Sequence, residues 1–103
     1  MWAQLIVMRL KAGKEGELPR LFEALRHSEQ PGSGLVRSIG GRDQKDPSRV
    51  YNLVLFESEE RARAREQDPR RTEALGDVRA LMGEIFDGPP EFVDLEVIND
   101  YTP

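Results

Sequence analysis

The chain has 103 residues, 38% of them hydrophobic, 33% charged and 7% aromatic, with no cysteine, a single histidine and a formal net charge of -4. That is one domain's worth of sequence, expected to run unbroken over residues 1–103. Without cysteine there are no disulfides, Cys-ligated zinc or thiolate nucleophile, and the lone His27 excludes a two-histidine metal site within one chain. No metal and no other cofactor is therefore expected. The acidic balance argues against nucleic acid as a partner, which would call for a basic face.

The N-terminal run Met1–Leu10 is apolar, but its basic residues Arg9 and Lys11 follow the apolar stretch instead of preceding it, the wrong order for a secretory signal. No stretch approaches the roughly 20 apolar residues of a membrane-spanning helix. A cytoplasmic protein without a membrane partner is the expectation.

Trp2–Lys11 reads as a first strand in which Leu5, Ile6, Val7 and Met8 are continuously apolar, so both faces should be covered. Glu15 to about Ser28 reads as a helix, with Leu18, Leu21, Phe22 and Leu25 on one stripe and acidic residues at its start, where the dipole favours them. His27 falls on the opposite side and should be exposed. Leu35–Gly40 and Val50–Glu57 read as a second and third strand joined by a polar, turn-rich connection. Ser58 is an N-cap for a helix reaching about Gln67. Pro69 breaks it, and a further helix is expected from about Arg70 to Phe86, with Leu75, Val78, Leu81, Met82 and Ile85 on one face. Asp87-Gly88-Pro89-Pro90 ends it, and Glu91–Ile98 is the last strand. The pattern is βαββαβ, an α+β fold with a four-stranded antiparallel sheet and helices on one face.

The other sheet face should alternate with polar residues if it met water. Tyr51, Leu53 and Leu55 point one way from the third strand, and Asn52, Val54 and Phe56 the other. An uncovered face of that kind is an apolar patch that soluble monomers rarely carry. A homodimer through this open face is expected.

The segment VYNLVLFESEERARAREQDP resembles the one that marks the antibiotic biosynthesis monooxygenase family: an apolar strand ending in an aromatic residue (Phe56), then Glu57-Ser58-Glu59, then a helix ending near Asp68-Pro69. Element order and length match across nearly the whole chain. The resemblance implies a ferredoxin-like fold doubled into a dimeric α/β barrel. The superfamily spans oxygenases, haem degraders, isomerases, cyclases and proteins of no known activity, so the fold alone does not carry function.

In the cofactor-free quinone-forming oxygenases of this family, an Asn and a Trp four residues on share one face of the third strand. Asn52 matches the Asn, and Phe56 stands in place of the Trp, keeping an aromatic wall without the indole N–H. Ala62 stands where a Tyr is expected, and Leu75 or Gly76 near an expected Arg. In the haem-degrading branch an Asn, a Trp and a haem-ligating His are expected at about Met8, Arg65 and Ala74 or Leu75, and all three are missing. The resemblance thus implies a cofactor-independent monooxygenase-like protein acting on a small aromatic or polyketide-like molecule. Asn52 fixes an oxygen, and the pocket is lined by Phe56, Phe22, Met82 and Phe86. The alternative is a non-catalytic ligand-binding or interaction dimer, and the third reading is an isomerase or cyclase. A core filled by Phe22, Met82 and Phe86 would favour a structural role, and a cavity of several hundred Å³ ligand binding.

Three further features have plain structural readings. The arginines at 61, 63, 65, 70 and 71 alternate with acids and read as a solvated helix face with pairs Glu57–Arg61, Glu59–Arg63 and Glu66–Arg70. Arg9 and Arg37 read as rim charges. Asp94 and Glu96 read as the solvent-facing positions of the last strand.

Overall fold

The computed structural model describes every residue from Met1 to Pro103. Its elements follow in the order β1 (Trp2–Arg9), a 3₁₀ turn (Glu15–Glu17), α1 (Leu18–Ser28), β2 (Leu35–Arg42), β3 (Arg49–Phe56), α2 (Glu59–Gln67), α3 (Pro69–Ala74), α4 (Gly76–Ile85) and β4 (Glu91–Glu96). The strands form one antiparallel sheet in the order β2-β3-β1-β4, with the helices on one side. This is the expected βαββαβ arrangement.

Local chemistry sets the helix starts. Ser58 Oγ accepts from Arg61 N at 3.1 Å, capping α2, and Asp68 Oδ1 accepts from Arg70 N at 2.9 Å, capping α3. The helix expected from Arg70 to Phe86 is instead two. It starts at Pro69 and is interrupted at Leu75, whose φ of -83° and ψ of -4° lie off helical values immediately before Gly76. The interruption keeps Leu75 buried while α4 turns Val78, Leu81 and Ile85 onto the sheet. β4 stops at Glu96, two residues short of expectation. Its partner strand begins at Trp2, which pairs with Glu96, so nothing lies beyond to receive further hydrogen bonds.

β2 carries a bulge. Leu35 pairs with Phe56 and Arg37 with Leu55, so Val36 is passed over and the register shifts by one. Beyond it, Ser38 pairs with Val54 and Gly40 with Asn52, on the helix side of the sheet.

Alternation then sorts the two faces. Trp2, Met8, Val50, Asn52, Val54 and Phe56 are buried beneath the helices. The opposite face presents Leu5, Val7, Ile39, Leu53, Leu55, Val93 and Leu95, of which Leu53 is 37% and Val93 and Leu95 are 38% exposed. The core beneath the helices is in two pieces. The larger gathers Met8, Leu10, Leu21, Val50 and Phe86 with Leu75 and the inner residues of α4, and the smaller gathers Trp2, Val54, Phe56 and Ala62. Ile6 touches both. No helix is long and apolar enough to cross a membrane.

Candidate functional site

Between the two pieces of core the helices do not close over the sheet. They leave a cleft of about 940 Å³, within the range of ligand-binding cavities. Its floor includes Ile6, Asn52, Ser38 and Gly40, and its walls include Phe22 and Leu25 of α1, Val78 and Met82 of α4, and Phe86.

Asn52 is buried in the floor, 7% exposed, in a strand that is otherwise apolar on that face. A buried amide needs partners. Ser38 Oγ donates to its Oδ1 at 3.1 Å, which fixes the amide so that Nδ2 is the group left to donate. Gly40 lies beside it. A Cβ built there would fall 2.9 Å from Phe22 Cζ, so only glycine lets the Phe22 ring lie against the strand.

The wall formed by α2, α3 and the end of α1 is charged. Arg65 Nη2 and Nε donate to Glu29 Oε1 and Oε2 at 2.6 and 2.9 Å, a fork geometry, with the two side chains 14% and 22% exposed. Burial alone would raise the Glu29 carboxyl. The hydrogen bonds from Arg65 and Ser33 and the charge of Arg65 outweigh it and hold the group below its usual range. Arg65 also lies over the Phe56 ring at 5.1 Å.

Arg71 stands next to this pair with its Nη1 buried and without a hydrogen-bond partner. Leaving a buried donor unpaired costs about 1–3 kcal/mol, more when it is charged. Burial, then the nearby charge of Arg65, pulls the Arg71 guanidinium down from its ordinary range. Glu29, Arg65 and Arg71 also border a second, small hollow of about 100 Å³ lined mainly by charged and polar residues.

The expected site residues divide. Asn52, Phe22, Met82 and Phe86 all line the cleft, and they leave it open. Phe56 is on the same strand face but is not among the lining residues; it packs against Trp2 with ring centroids 5.9 Å apart and is covered by Arg65. His27 is exposed and pairs with Glu23 at 3.0 Å. The arginine run is not a simply solvated face. The pairs Glu57–Arg61 (3.4 Å) and Glu59–Arg63 (3.3 Å) form, but Glu66 pairs with Arg63 and Arg70 turns to Asp68, because α2 ends between them. Arg65 and Arg71 turn inward. The signal for Arg65 was its place one turn after Ala62, which is buried. Asp94 is no free surface carboxylate. It lies on the helix side, where Gln4 Nε2 and Arg63 Nη2 both donate to it at 2.9 Å, tying α2 to the edge strand. Arg9 is a rim charge, donating to Ser48 at 2.7 Å.

No family model matches the sequence, and no curated protein matches it either. The fold does have solved counterparts. A mutant of MhuD, with two manganese protoporphyrin IX molecules bound per active site, superposes with a TM-score of 0.81 at 20% identity, covering all of both chains. A Bordetella bronchiseptica protein described as an antibiotic biosynthesis monooxygenase does so with a TM-score of 0.76 at 18% identity, over 95% of this chain and 97% of its own. Rv0793 from Mycobacterium tuberculosis follows at 0.73 and 14% identity, over 98% of each. The chain therefore has the antibiotic biosynthesis monooxygenase-like fold, a ferredoxin-like α+β sheet with its helices on one face.

Among the groups that ligate haem iron, the cleft offers the thioethers of Met8 and Met82. It presents no imidazole, phenol or thiol. Met8, Arg65 and Leu75, the positions where the resemblance to the haem-degrading branch places an Asn, a Trp and a His, all border the cleft without those side chains, and Arg65 pairs with Glu29.

Proposed function

We propose that this chain is a cofactor-independent, monooxygenase-like protein that binds a small aromatic or polyketide-like molecule in the cleft and works as a homodimer in the cytoplasm. The observation that carries the reading is the open cleft of about 940 Å³ floored by a buried, Ser38-oriented Asn52. With Oδ1 engaged, Nδ2 donates to a phenolic or enolic oxygen of the substrate and favours its deprotonated form. The resulting carbanion supplies the electrons for O₂. One oxygen atom forms the new carbonyl, and the other leaves as water with the two hydrogens lost from the substrate carbon. The apolar walls of Phe22, Met82 and Phe86 take the rings. The exposed apolar side of the sheet, centred on Leu5, Leu53 and Leu55, is the dimer face.

A non-catalytic ligand-binding dimer is the second reading. Phe56 favours it, because the ring expected to stack on the substrate lies under Arg65.

The test is oxygen uptake with anthrone, alongside calorimetric binding of 2-naphthol. Uptake above the uncatalysed rate, lowered at least tenfold in Asn52→Ala, is the expected result. Binding without uptake selects the second reading, and binding that survives intact in Asn52→Ala removes Asn52 from the site.

A further inference from the structure

Four arginines and two glutamates line the cleft, although the chain as a whole carries a formal charge of -4. The positive excess is not spread evenly. Arg26 pairs with Glu23 at 2.9 Å, and Arg65 holds both oxygens of Glu29. Glu66 pairs with Arg63 at 3.3 Å. What is left on the wall is Arg71, with a buried guanidinium nitrogen that meets no acceptor, and Arg79 one turn into α4.

The neighbours of Arg71 do not explain why a cation is kept there. The charges of Arg65 and Arg79 oppose it; Glu29 and Glu66 favour it, but both oxygens of Glu29 accept from Arg65 and Glu66 pairs with Arg63, so neither meets the free nitrogen. Burial adds to the same unfavourable balance. A glutamine or methionine would fit the same stem without a charge to desolvate. An anion arriving from outside the chain would pair the unsatisfied Nη1 and offset the repulsion from Arg65 and Arg79.

We infer that Arg71 is the anchor of an anion subsite, and that the cleft takes a molecule with an apolar ring body and a carboxylate at one end. The rings lie between the sheet and α1 and α4, and the carboxylate meets Arg71 at the α3 wall. A planar carboxylate matches the guanidinium fork. The inference rests on the cleft being a ligand site and adds the chemical class of the ligand to it. Arg71 acts in binding, apart from Asn52 and its oxygen on the floor.

Calorimetry on the full chain with 2-naphthoate and its neutral counterpart 2-naphthamide separates the two claims. The amide reports on the cleft, and the difference between the two compounds reports on the anion subsite. The expected result is binding of 2-naphthoate at least tenfold tighter than 2-naphthamide. In Arg71→Gln the preference should vanish, with the affinity for 2-naphthamide held within twofold, and Arg71→Lys should retain part of it. Equal binding of the two compounds by the unaltered chain, or a preference that persists in Arg71→Gln, overturns the carboxylate assignment and leaves the cleft standing. Failure of both compounds to bind overturns the cleft reading and this one with it.

Discussion

The Glu29–Arg65 pair should be a principal tie between the end of α1 and α2. Its two hydrogen bonds, at 2.6 and 2.9 Å, join side chains 14% and 22% exposed. An exposed ion pair contributes about 0.2–1 kcal/mol, and truncating one partner of a fully buried pair costs about 3–5 kcal/mol. The observed exposure lies between those limits, so Glu29→Gln should lose about 2 kcal/mol. For a domain of this size that is a fall of roughly 8–16 °C in Tm. The loss should be larger than pair geometry alone suggests in one respect: removing the carboxylate also leaves Arg71 facing Arg65 without a compensating charge. A double-mutant cycle with Arg65→Met, followed by urea unfolding at fixed protomer concentration, isolates the pairwise part. A coupling energy under about 0.5 kcal/mol would refute the argument, since such a value belongs to a solvated surface pair. The pH dependence has a definite sign. The folded Glu29 carboxyl lies below its ordinary value of 4.5, so its contribution is complete above that value and is lost as pH falls through the lower, folded one. Glu29→Gln should flatten the acid limb of the stability profile.

Two further outcomes test other parts of the fold. Leu53→Asp places a charge on the exposed apolar side of the sheet; a buried leucine is worth roughly 1.5–3 kcal/mol and occurs once in each protomer of a symmetric dimer, so association should weaken by at least a hundredfold. Light scattering at micromolar concentration checks this, and a monomeric unaltered protein would sink the dimer proposal before the variant is made. Gly40→Val puts a branched side chain where a Cβ alone falls 2.9 Å from Phe22 Cζ, so the ring must swing into the cleft. Affinity for 2-naphthamide should drop at least tenfold, measured by the same calorimetry, and unchanged affinity would show that Phe22 does not border the ligand.

Much of the fold was legible because it depends on periodicity. The stripe of Leu18, Leu21, Phe22 and Leu25 has one solution, a helix with Leu21 sealed beneath it, and Leu21 is fully buried. The alternation of Val50, Asn52, Val54 and Phe56 likewise sends all four to the buried side. Ser58 announced its helix through local capping chemistry. What was not legible depended on register between distant segments. Nothing local in LVRSIG announces that Val36 is passed over. Nor does the spacing of Arg71 reveal that the turn at Asp68 rotates α3 relative to α2 and carries its guanidinium inward. Phe56 shows the limit within the site: alternation placed it on the correct face, but an arginine from the next helix decided that it would not meet the cleft.

The bulge in β2 decides which side chains face the cleft. If Val36 instead paired with Leu55, the strand would run on in simple register, with Arg37 opposite Val54 and Ile39 opposite Asn52. The serine that orients the amide and the glycine that admits the Phe22 ring would both move to the far side of the sheet. That register would replace a roomy polar floor with a bulky aliphatic and a charged side chain, whereas loss of Val36 itself would leave Ser38 opposite Val54 and Gly40 opposite Asn52. The extra residue in β2 thus decides which side chains floor the cavity, while the residues that hold the helices in place lie elsewhere.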